Sequence, residues 1–170
     1  GYVDEKNIAK ILDIIIDNEN INEISDGQTG CIVIDVCPFY AEAGGQIGDS
    51  GRVLSPKGEF HVYDTQKKGG SYLLFGKQIK GALSIGDSTN AEIDKAKREN
   101  IKLNHSATHL LHSALIKNIG TSVQQKGSLV SDEKLRFDFS CEKPIKREVL
   151  NTIEIEVNKN IEKKIPASTK

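Results

Sequence analysis

Asn104-His105-Ser106-Ala107-Thr108-His109-Leu110-Leu111-His112 lies inside a stretch, residues 94–118, that contains neither glycine nor proline. Ala107, Leu110, Leu111, Ala114 and Leu115 recur at the i, i+3, i+4 spacing of an amphipathic helix. At about 100° per residue, His105, His109 and His112 fall on the side opposite that stripe. His105 and His109 are then one turn apart on one face, a spacing that suits a shared metal ion. Spacing alone does not make a site, because a metal needs three or four converging ligands. Two histidines on the polar face of a helix is the plainer reading. His112 is expected to be a neighbour rather than a ligand, and His61, in a strand, to be structural.

Outward from this helix the pattern changes. Upstream, short β-rich runs alternate with glycine-rich turns. Residues 11–16 are apolar and β-branched, followed by Asp17-Asn18-Glu19-Asn20. Residues 30–36 form a second strand, and 52–55 and 60–63 flank the turn Pro56-Lys57-Gly58. Residues 72–75 and 82–85 complete the set, the latter ahead of Gly86-Asp87. Short strands between tight turns predict a small barrel or sandwich. Downstream, Gly120 is a helix stop. Strands are expected at 122–130 and 134–140, where Arg136-Phe137-Asp138-Phe139 alternates. A second helix follows Pro144 to about Lys163, with Ile153, Val157 and Ile161 on one face. The fold class is α+β: a β-barrel over residues 1–90, then an α/β unit over 91–170 that ends at Ile165-Pro166-Ala167-Ser168-Thr169-Lys170 without a closing strand.

The 170 residues carry a net charge of -1, with 28% charged and 37% hydrophobic residues. Such a balance argues against a protein that coats nucleic acid by bulk charge, while a local basic patch stays open. Lys95, Lys97, Arg98 and Lys102, and Lys159, Lys163 and Lys164, read as solvated helix faces, with support of an RNA backbone the lesser reading. Three widely spaced cysteines, Cys31, Cys37 and Cys141, argue against a disulfide framework and for a reducing, cytoplasmic setting. No run is long enough to span a membrane and no signal peptide opens the chain. The absence of methionine predicts a piece of a longer polypeptide.

Two further motifs stand out. Pro38-Phe39-Tyr40-Ala41-Glu42-Ala43-Gly44-Gly45-Gln46-Ile47-Gly48-Asp49-Ser50-Gly51 is either a barrel turn or a loop that offers backbone amides to a phosphate, a carboxylate or a nucleic-acid end. Val123-Gln124-Gln125-Lys126-Gly127-Ser128 reads on its own as strand, tight turn, strand.

Four blocks, in order, resemble the editing domains of the alanyl-tRNA synthetase family: residues 38–49, residues 104–112, Gln125-Lys126-Gly127-Ser128-Leu129-Val130, and Leu135-Arg136-Phe137-Asp138-Phe139-Ser140. The resemblance spans Pro38 to Ser140, and it favours metal ligation over the polar-face reading of the histidines. It implies a translation-protein-like barrel followed by a two-layer editing domain of the threonyl/alanyl type. It implies hydrolysis of alanine tRNA mischarged with serine or glycine, within a parent enzyme that joins alanine to tRNA. ATP and Mg would serve only that parent's ligase site, for which these residues offer no candidate. The family's zinc is held by the two helical histidines and a later Cys-x-x-x-His. Carried over, His105 and His109 are zinc ligands, two of four, and the other pair would lie beyond Lys170. Thr108 matches a residue that discriminates the amino acid, and Gln125 a pocket residue near the scissile ester. Gly44, Gly45 and Gln46 match the barrel loop lining the substrate cleft. Cys37 stands where the family usually has threonine, and Cys141 where a histidine is common; Cys141 as a substitute ligand is the minor alternative. Neither DNA nor a membrane is an expected partner. The rival expectations are a free-standing trans-editing deacylase and a non-catalytic tRNA-docking module.

Overall fold

The computed structural model describes residues 6–141 and 143–163. Lys164 and the segment 165–170 lie outside the described residues. The chain divides into two compact units, Gly1–Arg98 and Glu99–Lys170.

The first unit is an antiparallel β-barrel. Its strands are β1 (Lys6–Ile16), β2 (Glu19–Asn20), β3 (Glu23–Ser25), β4 (Thr29–Ile34), β5 (Gly51–Ser55), β6 (Gly58–Lys68), β7 (Ser71–Ser84) and β8 (Ser88–Ile93). The order β1-β4-β7-β6-β5-β8 closes on itself because β8 returns to pair with β1, with Ile8 opposite Asn90. Six strands thus form a ring, while β2 extends β1 and β3 pairs with β7. Closure removes the free sheet edge that would otherwise invite another chain. Buried apolar side chains fill the interior: Ile11 and Ile14 from β1, where a register shift intervenes, Ile32 and Ile34 from β4, Phe60 and Val62 from β6, Leu74 and Leu83 from β7. Each buried apolar side chain of this size contributes about 1.5–3 kcal/mol. Phe39, from the loop after β4, plugs the same core at 2% exposure.

Two expectations for this unit change. The strands expected at 72–75 and 82–85 are one strand, the 14-residue β7. The glycines between them are not turns. Gly76 lies against β6, where a Cβ would come 2.0 Å from the His61 carbonyl oxygen. The boundary placed after residue 90 falls within β8, a strand with little apolar signal. Thr89, Ala91 and Ile93 point inward and alternate with the half-buried Asn90 and Glu92.

The second unit holds α1 (Lys95–Ile119) from Glu99 onward, the hairpin β9 (Gln124–Val130) and β10 (Leu135–Ser140), and α2 (Arg147–Glu162). Ala114, Leu115, Val123 and Ile153 form its core, with Leu111, Phe137, Phe139 and Val157 packed around them. Gly120, at φ +120°, ends α1, and its N–H donates to the Ile116 carbonyl at 2.9 Å. The strands expected at 122–130 and 134–140 are β9 and β10; the turn that residues 123–128 suggest on their own is not formed, since Gly127 lies within β9 and faces Asp138. The chain reverses between the two strands, at residues 131–134, where the Ser131 N–H donates to the Lys134 carbonyl at 2.9 Å. The described residues are α+β: a six-stranded barrel, two helices and the β9–β10 hairpin.

Candidate functional site

The helix α1 carries the histidine pair. One turn of helix brings the His105 and His109 rings to 5.0 Å between centroids, tilted by 32°. Burial, and then the neighbouring His109, push the His105 imidazole below its ordinary value, which favours the neutral form that a metal requires. Thr108 lies between them in sequence and is buried at 7% exposure. Its hydroxyl donates to the Asn104 carbonyl at 2.8 Å, one turn back. The Asn104 side-chain amide donates to the Ser131 carbonyl at 2.8 Å, so the start of the histidine turn is tied to the β9–β10 reversal. Gln125 stands exposed on β9, opposite Phe139 across a register shift.

His112 departs from expectation. Its ring packs 4.9 Å from the Phe137 ring, so it faces β10 rather than the side opposite the apolar stripe. Its partner comes from another element, which helix periodicity cannot reveal. His61 is an outward residue of β6, 3.7 Å from a Glu59 carboxylate oxygen.

Among the described residues no group of three or more His, Cys, Asp or Glu side chains converges on one point. Cys141 does not join the pair. It lines a cavity of about 280 Å³ with Asn118, Ile119 and Val149, about 14 Å along the helix axis beyond His109. Burial holds the Cys31 and Cys37 thiols up at about 11, where they are neutral and poor ligands.

In the barrel, the glycine-rich loop is a hairpin. Ala43 and Gln46 exchange backbone hydrogen bonds at 3.0 and 3.1 Å. Gly44 and Gly45, at φ +60° and +86°, make the two-residue turn that positive φ demands. Gln46 is buried at 6% exposure, while Gly44 is open to solvent. Asp49 anchors the loop. Its carboxylate accepts the Tyr40 N–H at 2.6 Å, and its carbonyl accepts the Thr65 hydroxyl at 2.9 Å. Arg98 pairs with the same carboxylate and donates to the Pro38 carbonyl at 2.9 Å. Arg98, read from sequence as one of a solvated cluster, is buried at 7% exposure. Its carboxylate partner is 49 residues away, and no local pattern announces it.

The chain belongs to the class II (A) tRNA synthetases, whose family model matches residues 1–97. Among curated relatives, it is similar to alanine–tRNA ligase of Saccharophagus degradans, at 45% identity over 99% of this chain and 19% of that protein. Similarity to alanine–tRNA ligase of Haemophilus influenzae (strain PittGG) is also 45%, over the same shares. The chain thus spans about a fifth of the length of these relatives. No helix among the described residues is long and apolar enough to cross a membrane.

Proposed function

We propose that this chain is the editing region of an alanine–tRNA ligase, and that it hydrolyses the ester of alanine tRNA mischarged with serine or glycine. The observation that carries this is the adjacency of the His105 and His109 rings, with Thr108 buried between them in sequence. Similarity to alanine–tRNA ligases over nearly the whole chain supports it. Attachment of alanine to tRNA with ATP and Mg belongs, in this proposal, to the full-length polypeptide.

His105 and His109 would hold zinc through neutral imidazoles, two further ligands being supplied from outside the described residues. Zinc would supply a Lewis acid that polarises a water or orients the substrate. The Thr108 hydroxyl already donates to Asn104, so toward a ligand it acts as an acceptor, suited to a donor such as a serine hydroxyl or an α-ammonium group. Gln125 offers an amide from β9 toward the ester. Gly44, Gly45 and Gln46 would line the path of the tRNA end. A second hydrolytic site is needed because small side chains differ too little for a single binding step to separate them.

The test is His105→Ala in the full-length ligase. Clearance of Ser-tRNA should fall by about 100-fold, the upper end of what loss of a ligand's supporting partner costs a metal site, while alanine activation stays near its original rate. Clearance that survives the substitution, or activation that collapses with it, refutes the assignment.

A further inference from the structure

The β6–β7 hairpin outreaches the barrel. Pairing of β4 with β7 stops at Leu74, and pairing of β5 with β6 stops at Val62. Beyond them Gln66 faces Leu73, Lys67 faces Tyr72 and Lys68 faces Ser71, a ribbon that pairs with no third strand among the described residues. Gly69 and Gly70, at φ +59° and +88°, close it in the same two-residue turn as Gly44 and Gly45. A Cβ added at either tip glycine would meet nothing within 4 Å, so no described residue crowds those positions. Strand alternation puts Lys67 with Tyr72 on one face and Lys68 with Ser71 on the other. The Lys67 ammonium sits 5.2 Å over the Tyr72 ring centroid, which limits its freedom and holds it ready for an anion.

The ribbon is also tied to the diglycine hairpin. The Glu42 N–H donates to the Thr65 carbonyl at 2.8 Å. The Gln66 amide donates to Glu42 and Asp64 carboxylate oxygens at 2.6 and 2.9 Å. These carboxylates, Glu42 on the diglycine loop and Asp64 on β6, are held by Gln66 below the tip, which leaves the tip with two cations and no anion among residues 67–72. The chain as a whole is nearly neutral, at -1, so this tip is a local departure in charge.

We propose that the β6–β7 ribbon docks on the phosphate backbone of the tRNA, with Lys67 and Lys68 contacting phosphates on either side of the glycine tip. The identity of the RNA rests on the editing function proposed above; the contact itself rests on the ribbon. A slim ribbon with a cation on each face fits between phosphate rows, and the neighbouring Gly44–Gly45 turn lies at its base.

The experiment measures tRNA affinity of the full-length ligase against salt for Lys67→Gln/Lys68→Gln and for Lys67→Arg/Lys68→Arg. The Gln pair should raise Kd about tenfold at about 50 mM salt and flatten the log–log salt slope by about one per lysine. The Arg pair should match the parent in both. Ser-tRNA clearance at saturating tRNA should not move. Affinity within twofold of the parent, an unchanged slope, or equal loss in the Arg pair overturns the proposal. A failed editing reading shows separately, as clearance that survives His105→Ala while the affinity result stands on its own.

Discussion

At the scale of single residues, the histidines divide by what surrounds them. His105 and His109 face each other across one helical turn, while His112 packs on an aromatic ring. Zinc content of the full-length protein, measured after exhaustive dialysis, should therefore drop below half for His105→Ala or His109→Ala. His112→Ala should keep its zinc and lose about 1 kcal/mol of stability with its aromatic contact. Equal zinc loss from all three would mean that the pair is not special. Cysteines sort the same way. Cys31 and Cys37 are held near 11, and Cys141 is exposed. A thiol reagent at about pH 8 should label one cysteine quickly, identified by mass as Cys141, and two slowly. Rapid labelling of Cys37 would contradict its burial.

At the scale of elements, the loop at residues 38–51 depends on a helix residue far along the chain. Asp49 and Arg98 have side chains 3% and 8% exposed. Arg98→Ala strands a buried carboxylate, and chemical denaturation should show a loss of about 3–5 kcal/mol. A loss within the range of an exposed pair would show that water reaches Asp49. The turn between β7 and β8 makes a pH-dependent contribution. The Asp87 carboxylate accepts from the Lys57 ammonium and, at 2.9 Å, from the Ser84 N–H, and these contacts hold it below its ordinary value of 3.8. Its contribution is complete above that value and is lost as pH falls through the lower folded one. Asp87→Asn should thus cost about 0.5–1 kcal/mol near neutrality and make stability less steep in acid, as urea midpoints from pH 2 to 6 would report. An unchanged acid slope would remove Asp87 from the account.

Elements with their own periodicity were legible in the sequence: α1, α2, the β5–β6 turn and the β10 alternation all follow from local pattern. What was not legible depends on distant partners. The β8 strand carries Thr89 and Ala91 where an isolated strand would need bulkier residues, because β1 and β5 flank it on both sides. The continuity of β7 is hidden by Gly76, whose missing side chain makes room for β6. In the candidate site, the His105–His109 spacing was readable from one helix, whereas the buried role of Arg98 and the His112–Phe137 contact were not.

At the scale of the whole chain, the two units differ in how their backbones are held. Every ring strand of the barrel has two neighbours, and β1, β4 and β7 lie against a continuous apolar interior. The β9–β10 sheet has two strands, a size that is marginal by itself. Native-state hydrogen exchange should accordingly be slowest at Ile14, Ile32 and Leu74 and faster across residues 124–140. Comparable protection in both places would show that the hairpin is reinforced beyond its own two strands.

The pairing of Ile8 with Asn90 has a consequence during synthesis. The opening strand of the ring emerges from the ribosome long before its last neighbour does. Until residue 93 clears the exit tunnel, the stretch of β1 that pairs with β8, Lys6–Lys10, lacks that partner and can meet other nascent chains. Slow translation through that interval should therefore raise aggregation of this polypeptide, whereas a permuted version that joins β8 directly to β1 should escape the delay.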